Sequence, residues 1–311
     1  MDFLLSEMVS SLMNKEFIID PFSFTNATEL KYILEKFGFF QGRLLAKYPS
    51  SWIKRVHDKI ESWPDVEKKR AQELLIRTKE MIVPISEPYD TEVLWIDNAQ
   101  NIFSGKKIDG VIAAEKNTWG FPTILDIEDD YFKSGRDIRL NGCATNYAIV
   151  SKRLLQMSYE ITLVDPYLKL EKKGCAIVFK EFLKIAREGK CKYINIWTRY
   201  EISGMKTESA YDQMLLKEYK ALLNKDTELN IKLVDDDNSI EKMHARLMLS
   251  KLGGFRFDHG FEEFNDSRNV DISILDKTTH NQHCMWYLDK NSQNDFKVIE
   301  EHSLNGRTSQ Q

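Results

Sequence analysis

The stretch Glu241–Glu263, EKMHARLMLSKLGGFRFDHGFEE, decides how the C-terminal part of this 311-residue chain is read. His244 and Arg246 open an apolar run, a Gly-Gly pair follows, and a second run with strand character carries His259. Two strand-like runs separated by a few residues containing glycine predict a β-hairpin. Residues i and i+2 of a strand share a face, so the spacing predicts His244 and Arg246 side by side, with Leu247 and Leu249 on the opposite face. An imidazole next to a guanidinium suits an anion, a phosphate above all.

Outward from this hairpin the texture is of strands alternating with helices. YEITLVDPY, KYINIWTRY, LNIKLVDD and VDISILD read as strands. ATNYAIVSKRLLQMS, GCAIVFKEFLKIAREG and SAYDQMLLKEYKALLNK read as helices. Such alternation predicts βαβ units and a largely parallel sheet covered by helices on both faces, with the hairpin added to it. Earlier in the chain, NATELKYILEKFG, SSWIKRVHDKIESW and DVEKKRAQELLIRTKEMI are amphipathic and predict helices, the first capped by Asn26. EVLWIDN, IDGVIAAE and DIRLNG read as short strands. Pro84 and Pro88 interrupt the pattern, so the expected organisation is a helical N-terminal region over 1–85 and an α/β domain over 86–311.

Composition sets outer limits. A hydrophobic content of 42% can bury one large core or two smaller ones, and the net charge of -4 arises from 44 basic and 48 acidic residues mixed throughout. No field of one sign announces a nucleic-acid or membrane partner. Cys143, Cys175, Cys191 and Cys284 are scattered and form no CxxC pair, the pattern of reduced thiols in a cytoplasmic protein. The opening MDFLLSEMVSSLMNKEF lacks the basic region and cleavage site of a signal peptide, and no apolar run approaches the ~20 residues of a bilayer span. The segment HNQHC brings His280, His283 and Cys284 together on an expected helix, but a fourth ligand is not evident, and neither a metal nor a cofactor is expected.

In open α/β sheets ligand groups collect at the carboxyl ends of strands. That rule selects Asp165 with Tyr167, Thr198 with Arg199, the run Asp235-Asp236-Asp237, and the His244/Arg246 pair. Each also has a plain structural role open to it: Asp165 before Pro166 is a strand-end turn device, and Arg199 can pair with an acidic neighbour.

MHARLMLS, the glycine turn, GFRFDHGF and VDISILD, together with YEITLVDPYL, resemble the phospholipase D-like family, whose motif is His-x-Lys-x(4)-Asp followed by Gly-Ser-x-Asn and a later acidic residue. The resemblance implies a mixed sheet flanked by helices over roughly Tyr159 to Asp276. It implies a metal-independent phosphodiesterase chemistry in which one histidine attacks phosphorus and a second, from another repeat or chain, protonates the leaving group. Carried over residue by residue, His244 takes the nucleophile position and Arg246 the lysine position. Asp271 becomes the acidic residue that would hold the imidazole. Lys251 reverses the charge of the motif aspartate, and the Gly-Ser-x-Asn region falls on DHGF, which keeps Gly260, places His259 near the serine and lacks the asparagine. Arg199, His259 and Asp165 would complete the phosphate site.

The eroded motif leads to the expectation of a catalytically degenerate phospholipase D-like binding or assembly subunit. It would work with a protein partner, a nucleic-acid backbone or both, in a bacterial anti-phage or DNA-processing complex. The alternative is an active nuclease working as a homodimer through His244, and a third reading is a lipid-headgroup module. A membrane partner is disfavoured by net charge and by the lack of a polybasic amphipathic stretch.

Overall fold

The structure, a computed structural model, describes residues 13–126, 129–132, 134–200, 208–264, 266, 268–288 and 294–306. Most of the N-terminal stretch weighed as a signal peptide, 1–12, and the polar tail 307–311 lie outside the described residues. The chain is mixed α/β with two sheets. It divides into compact units over Ser10–Arg136 and Asp137–Gln311, so the expected boundary near residue 85 falls inside the first unit.

That first unit is itself α/β rather than a helical region. Its four strands, β1 (Lys15–Ile19), β2 (Arg43–Lys47), β3 (Val83–Pro84) and β4 (Gly110–Ile112), are all parallel in the order β3-β2-β1-β4. The helices α1 (Ala27–Glu35), α2 (Trp52–Ile60) and α3 (Asp65–Thr78) emerge as the spacing predicts. Asn26 caps α1 by accepting the Glu29 N–H at 2.9 Å. EVLWIDN is not a strand: helix α4 (Trp95–Ser104) starts within it, and Trp95, Ala99 and Ile102 recur at helical spacing on its buried side.

The two faces of this sheet bury different sets. Phe17 and Ile19 of β1 pack with Leu30, Ile33, Trp52 and Leu75, which places α1, α2 and α3 on one face. Ile18 packs with Ala46, Trp95, Ala99 and Val111, which places α4 on the other. The Trp52 indole N–H donates to the Ile19 carbonyl at 2.6 Å, so this fully buried ring also spends its one polar group.

The second unit holds eight strands in the order β12-β8-β7-β6-β9-β10-β11-β5. They are β5 (Asp137–Asn141), β6 (Glu160–Val164), β7 (Tyr193–Arg199), β8 (Glu228–Asp235), β9 (Leu247–Ser250), β10 (Gly253–Phe257), β11 (Asn269–Ile274) and β12 (Lys297–Asn305). Only β6, β7 and β8 are mutually parallel; the other neighbours are antiparallel, so the sheet is mixed rather than largely parallel. Helices α5 (Ala144–Met157), α6 (Lys173–Arg187) and α7 (Glu208–Tyr219) alternate with the early strands, and α8 (Lys277–Tyr287) lies against β9 and β10.

The predicted hairpin is present as β9–β10, with Ser250 opposite Gly253. Lys251 and Leu252 therefore form the turn, and the glycines belong to β10. A Cβ on Gly254 would come 2.9 Å from the Met248 carbonyl oxygen, so the close backbone approach, not the turn, requires glycine there.

Candidate functional site

Asp165 follows β6 directly, and its backbone N–H continues the ladder to the Trp197 carbonyl at 3.0 Å. The residue is 3% exposed. Oδ1 accepts the Tyr167 N–H at 2.8 Å and Oδ2 the Phe261 N–H at 3.2 Å. Burial pushes this carboxyl above the ordinary aspartate value, while the two N–H donors and the Arg246 charge oppose the shift. Gly260, at φ 75°, passes so close that a Cβ would stand 2.2 Å from Oδ2. Asp165 thus ties the end of β6 to the loop after β10.

Arg199 ends β7 and forms a two-pronged pair with Asp236: Nε to Oδ1 at 2.9 Å and Nη2 to Oδ2 at 2.8 Å. Nη2 also donates to the Met243 carbonyl at 2.9 Å, and the Met243 N–H donates to Asp236 Oδ2 at 2.6 Å. Burial alone would raise the Asp236 carboxyl, but the bonds from Arg199 and Met243 outweigh it and hold it below the usual aspartate range. The pair clamps both backbone groups of Met243, whose side chain is fully buried. Three residues on, the Arg246 carbonyl accepts the Phe257 N–H at 2.9 Å and Arg246 Nη1 donates to the Asp258 carbonyl at 2.9 Å.

His244 sits between these two fixed points, exposed. It does not lie on a strand, because β9 begins at Leu247, so the shared strand face expected for His244 and Arg246 does not form. What holds them near each other is the anchoring of Met243 and Arg246. The Arg246 guanidinium lies 4.9 Å from the Tyr167 ring centre and that of Arg199 5.9 Å from the same ring. Arg246 Nε stands 3.9 Å from Asp165 Oδ1, too long for a hydrogen bond. Tyr167, at 47% exposure, is the aromatic platform between the two arginines; its place at the strand end was expected, its stacking role was not.

Asp271 is placed elsewhere. It lies on β11, two strands from β9, in register with Arg139 of β5 and 3.3 Å from its guanidinium. Among the described residues no hydrogen bond reaches the His244 ring. His259 is exposed, its Nε2 3.6 Å from Asp258 Oδ2 and its ring edge-on to Phe264 at 5.8 Å. Lys251 sits exposed in the hairpin turn. The structure therefore gathers Asp165, Arg246, Tyr167 and Arg199, presents His244 from the same loop, and leaves Asp271 apart.

The HNQHC segment lies on α8 as expected. His280 Nε2 is 2.8 Å from the Ser250 carbonyl and 3.3 Å from Cys284 Sγ. Among the described residues no group of three His, Cys, Asp or Glu side chains is arranged to hold a metal ion. All four cysteines are free thiols. No described helix is long and apolar enough to cross a membrane.

No family model matches the chain, and no curated protein matches it. Among solved structures, the chain is similar to that of TrmBL2, an archaeal chromatin protein whose structure shows a novel mode of DNA binding. Identity is 14%, coverage is 78% of this chain and 67% of the other, and the TM-score is 0.24. At that score the likeness has no bearing on the function of this chain.

Proposed function

We propose that the C-terminal unit is a phospholipase D-like module that binds a phosphate backbone through the His244–Arg246 loop and has lost catalysis. The observation that carries this reading is the presentation of His244: its flanks are pinned by Arg199–Asp236 and by Arg246, while its ring has no acceptor among the described residues. A nucleophilic imidazole needs its second nitrogen held by an acceptor that fixes tautomer and orientation. The residue expected in that role, Asp271, is paired with Arg139. Anion binding has no such requirement. Arg246 keeps donor capacity beyond its bond to Asp258, and Tyr167 offers a flat face for a base or sugar. A mixed sheet flanked by helices also agrees with the resemblance carried by the hairpin and the following strand. Arg199 holds the loop in place instead of contacting the ligand.

Fluorescence anisotropy with labelled single-stranded DNA and RNA, in EDTA, tests this reading. Binding should weaken as salt rises, and Arg246→Ala should reduce affinity by about tenfold, the scale of one lost charge-assisted contact. Absence of salt-dependent binding by folded protein would remove the proposal. Cleavage that disappears in His244→Ala would replace it with the homodimeric nuclease.

A further inference from the structure

The N-terminal unit contains a second convergence of polar groups, unrelated to the phosphate site above. Its strand order and helix placement define where it lies. From β1 the chain steps to β2 and then β3, and α1, α2 and α3 pack on one face. It then returns past β1 to β4, with α4 on the opposite face. The direction of winding therefore reverses between β1 and β4. In sheets of this kind the crevice outside the carboxyl ends at that reversal is where ligands bind.

The carboxyl ends of all four strands contribute to this edge. Asp20 follows β1, and its N–H donates to the Ile112 carbonyl of β4 at 2.9 Å. Arg55 comes from the first turn of α2, after β2. Tyr89 comes from the connection after β3, and Glu115 from the loop after β4. Arg55 Nε donates to the Ser51 hydroxyl at 3.2 Å and Nη1 to the Tyr89 hydroxyl at 3.0 Å, and the guanidinium lies 4.7 Å from the Tyr89 ring centre. Among the described residues no carboxylate stands within ion-pair distance of Arg55.

Asp20 is equally underused. Its Oδ1 accepts the Phe22 N–H at 2.9 Å, while Oδ2 receives no hydrogen bond among the described residues. Burial pushes the carboxyl up to about 6, against the lowering effect of the Phe22 N–H and Arg55, and the Glu115 charge raises it further. A carboxylate held partly desolvated near an unpaired guanidinium is a poor choice for stability alone and a common feature of binding sites. The Ser23 hydroxyl, in the turn that Asp20 opens, is buried without a hydrogen-bond partner among the described residues. Two half-exposed aromatics, Phe22 and Trp119, flank the same edge, Trp119 anchored by its indole N–H to Asp97 Oδ1 at 3.2 Å.

We infer that this edge binds a nucleoside phosphate, with Asp20 accepting sugar hydroxyls, Arg55 facing the phosphate and Phe22 or Trp119 stacking on the base. Carboxylates match hydroxyl donors, a guanidinium matches phosphate, and the N-terminus of α2 adds partial positive charge beside Arg55. Glu115, also acidic, disfavours a second phosphate at the sugar end.

Thermal-shift and calorimetric titration of the full chain with AMP, ATP and NAD, and with pyrophosphate as a control, test the inference. At least one nucleotide should raise the melting temperature saturably. Arg55→Ala and Asp20→Asn should each weaken that ligand at least tenfold, while the double variant His244→Ala/Arg246→Ala should retain a saturable shift with it. If Arg55→Ala does not fold, Arg55→Lys serves, since it keeps the charge and loses the fork. No saturable shift with any of the three nucleotides would overturn the inference. So would an equal response to pyrophosphate, or affinity unchanged in both Asp20→Asn and the Arg55 variant.

Discussion

The chain uses one device twice. Ile18-Ile19-Asp20-Pro21-Phe22 ends β1, and Leu163-Val164-Asp165-Pro166-Tyr167 ends β6. In each, the aspartate N–H reaches the next parallel strand, Oδ1 accepts the N–H two residues on, and the carbonyl accepts the N–H three residues on. In each, burial raises the carboxyl and a half-exposed aromatic follows the proline. The copies differ in what the rest of the fold brings back. At Asp165 the β10–β11 loop returns, Gly260 presses against Oδ2, the Phe261 N–H occupies it, and the group becomes structural. At Asp20 the second oxygen accepts no hydrogen bond among the described residues, and the carboxyl feels the charges of Arg55 and Glu115. A strand-end aspartate is thus fixed as scaffold or left available by long-range packing, not by its local sequence.

Two of the four glycines with positive φ, Gly260 and Gly120, sharpen this contrast. Gly260→Ala places a Cβ against Asp165 and adds φ strain, and should cost about 3 kcal/mol in denaturant unfolding. Gly120, after β4, has φ 74° and nothing within 4 Å of a Cβ, so Gly120→Ala should cost only the strain, about 1 kcal/mol. Equal costs would mean that the approach to Asp165 does not matter. Between these falls Asp165→Ala, expected at about 2 kcal/mol because it strands two N–H donors.

Asp20→Asn should have the opposite sign at neutral pH. Its folded value, about 6, lies above the unfolded aspartate value, so the folded chain binds the extra proton between them. Stability from this group is fully present below about pH 4 and is lost as pH rises through 6. The variant should therefore be more stable than the parent at pH 7, on the order of 1 kcal/mol, with no gain near pH 4. Urea melts across that range check it, and a loss of stability at pH 7 would mean that the ionised Asp20 is held by a bond. The smallest effect belongs to Asp271→Asn, which breaks an exposed pair with Arg139 and should cost less than about 1 kcal/mol without changing oligonucleotide binding.

Much of the second unit was legible in the sequence because its strands and helices are long and differ in period. β6, β7, α5 and α6 fall where the patterning places them. In the first unit α1, α2, α3 and β4 were legible too, but β1 and β2 were not. β1 buries Phe17, Ile18 and Ile19 on both faces, so it lacks alternation, and a short continuous apolar run does not separate strand from helix. β2, Arg43–Lys47, is built of good helix formers and is a strand because it lies between β1 and β3. β12 is an edge strand with Glu300, Glu301, His302 and Asn305, polar enough to pass for a loop.

The candidate site was legible in its parts and not in its wiring. His244, Arg246, Arg199 and Asp165 are where strand ends would put them, but their partners depend on register. Asp271 meets Arg139 because β11 pairs with β5, a contact spanning 132 residues that no local pattern encodes. Asp20 could have been found by noticing that its Asp-Pro-aromatic turn repeats the one at Asp165.

The central claim is that His244 is presented to a phosphate backbone and does not attack it. Mass spectrometry of the protein after incubation in excess with single-stranded oligonucleotide in EDTA, quenched without acid, tests it directly. The account predicts an unmodified His244 peptide and intact oligonucleotide alongside salt-sensitive binding. A nucleotide adduct on His244, absent from His244→Ala, would contradict it.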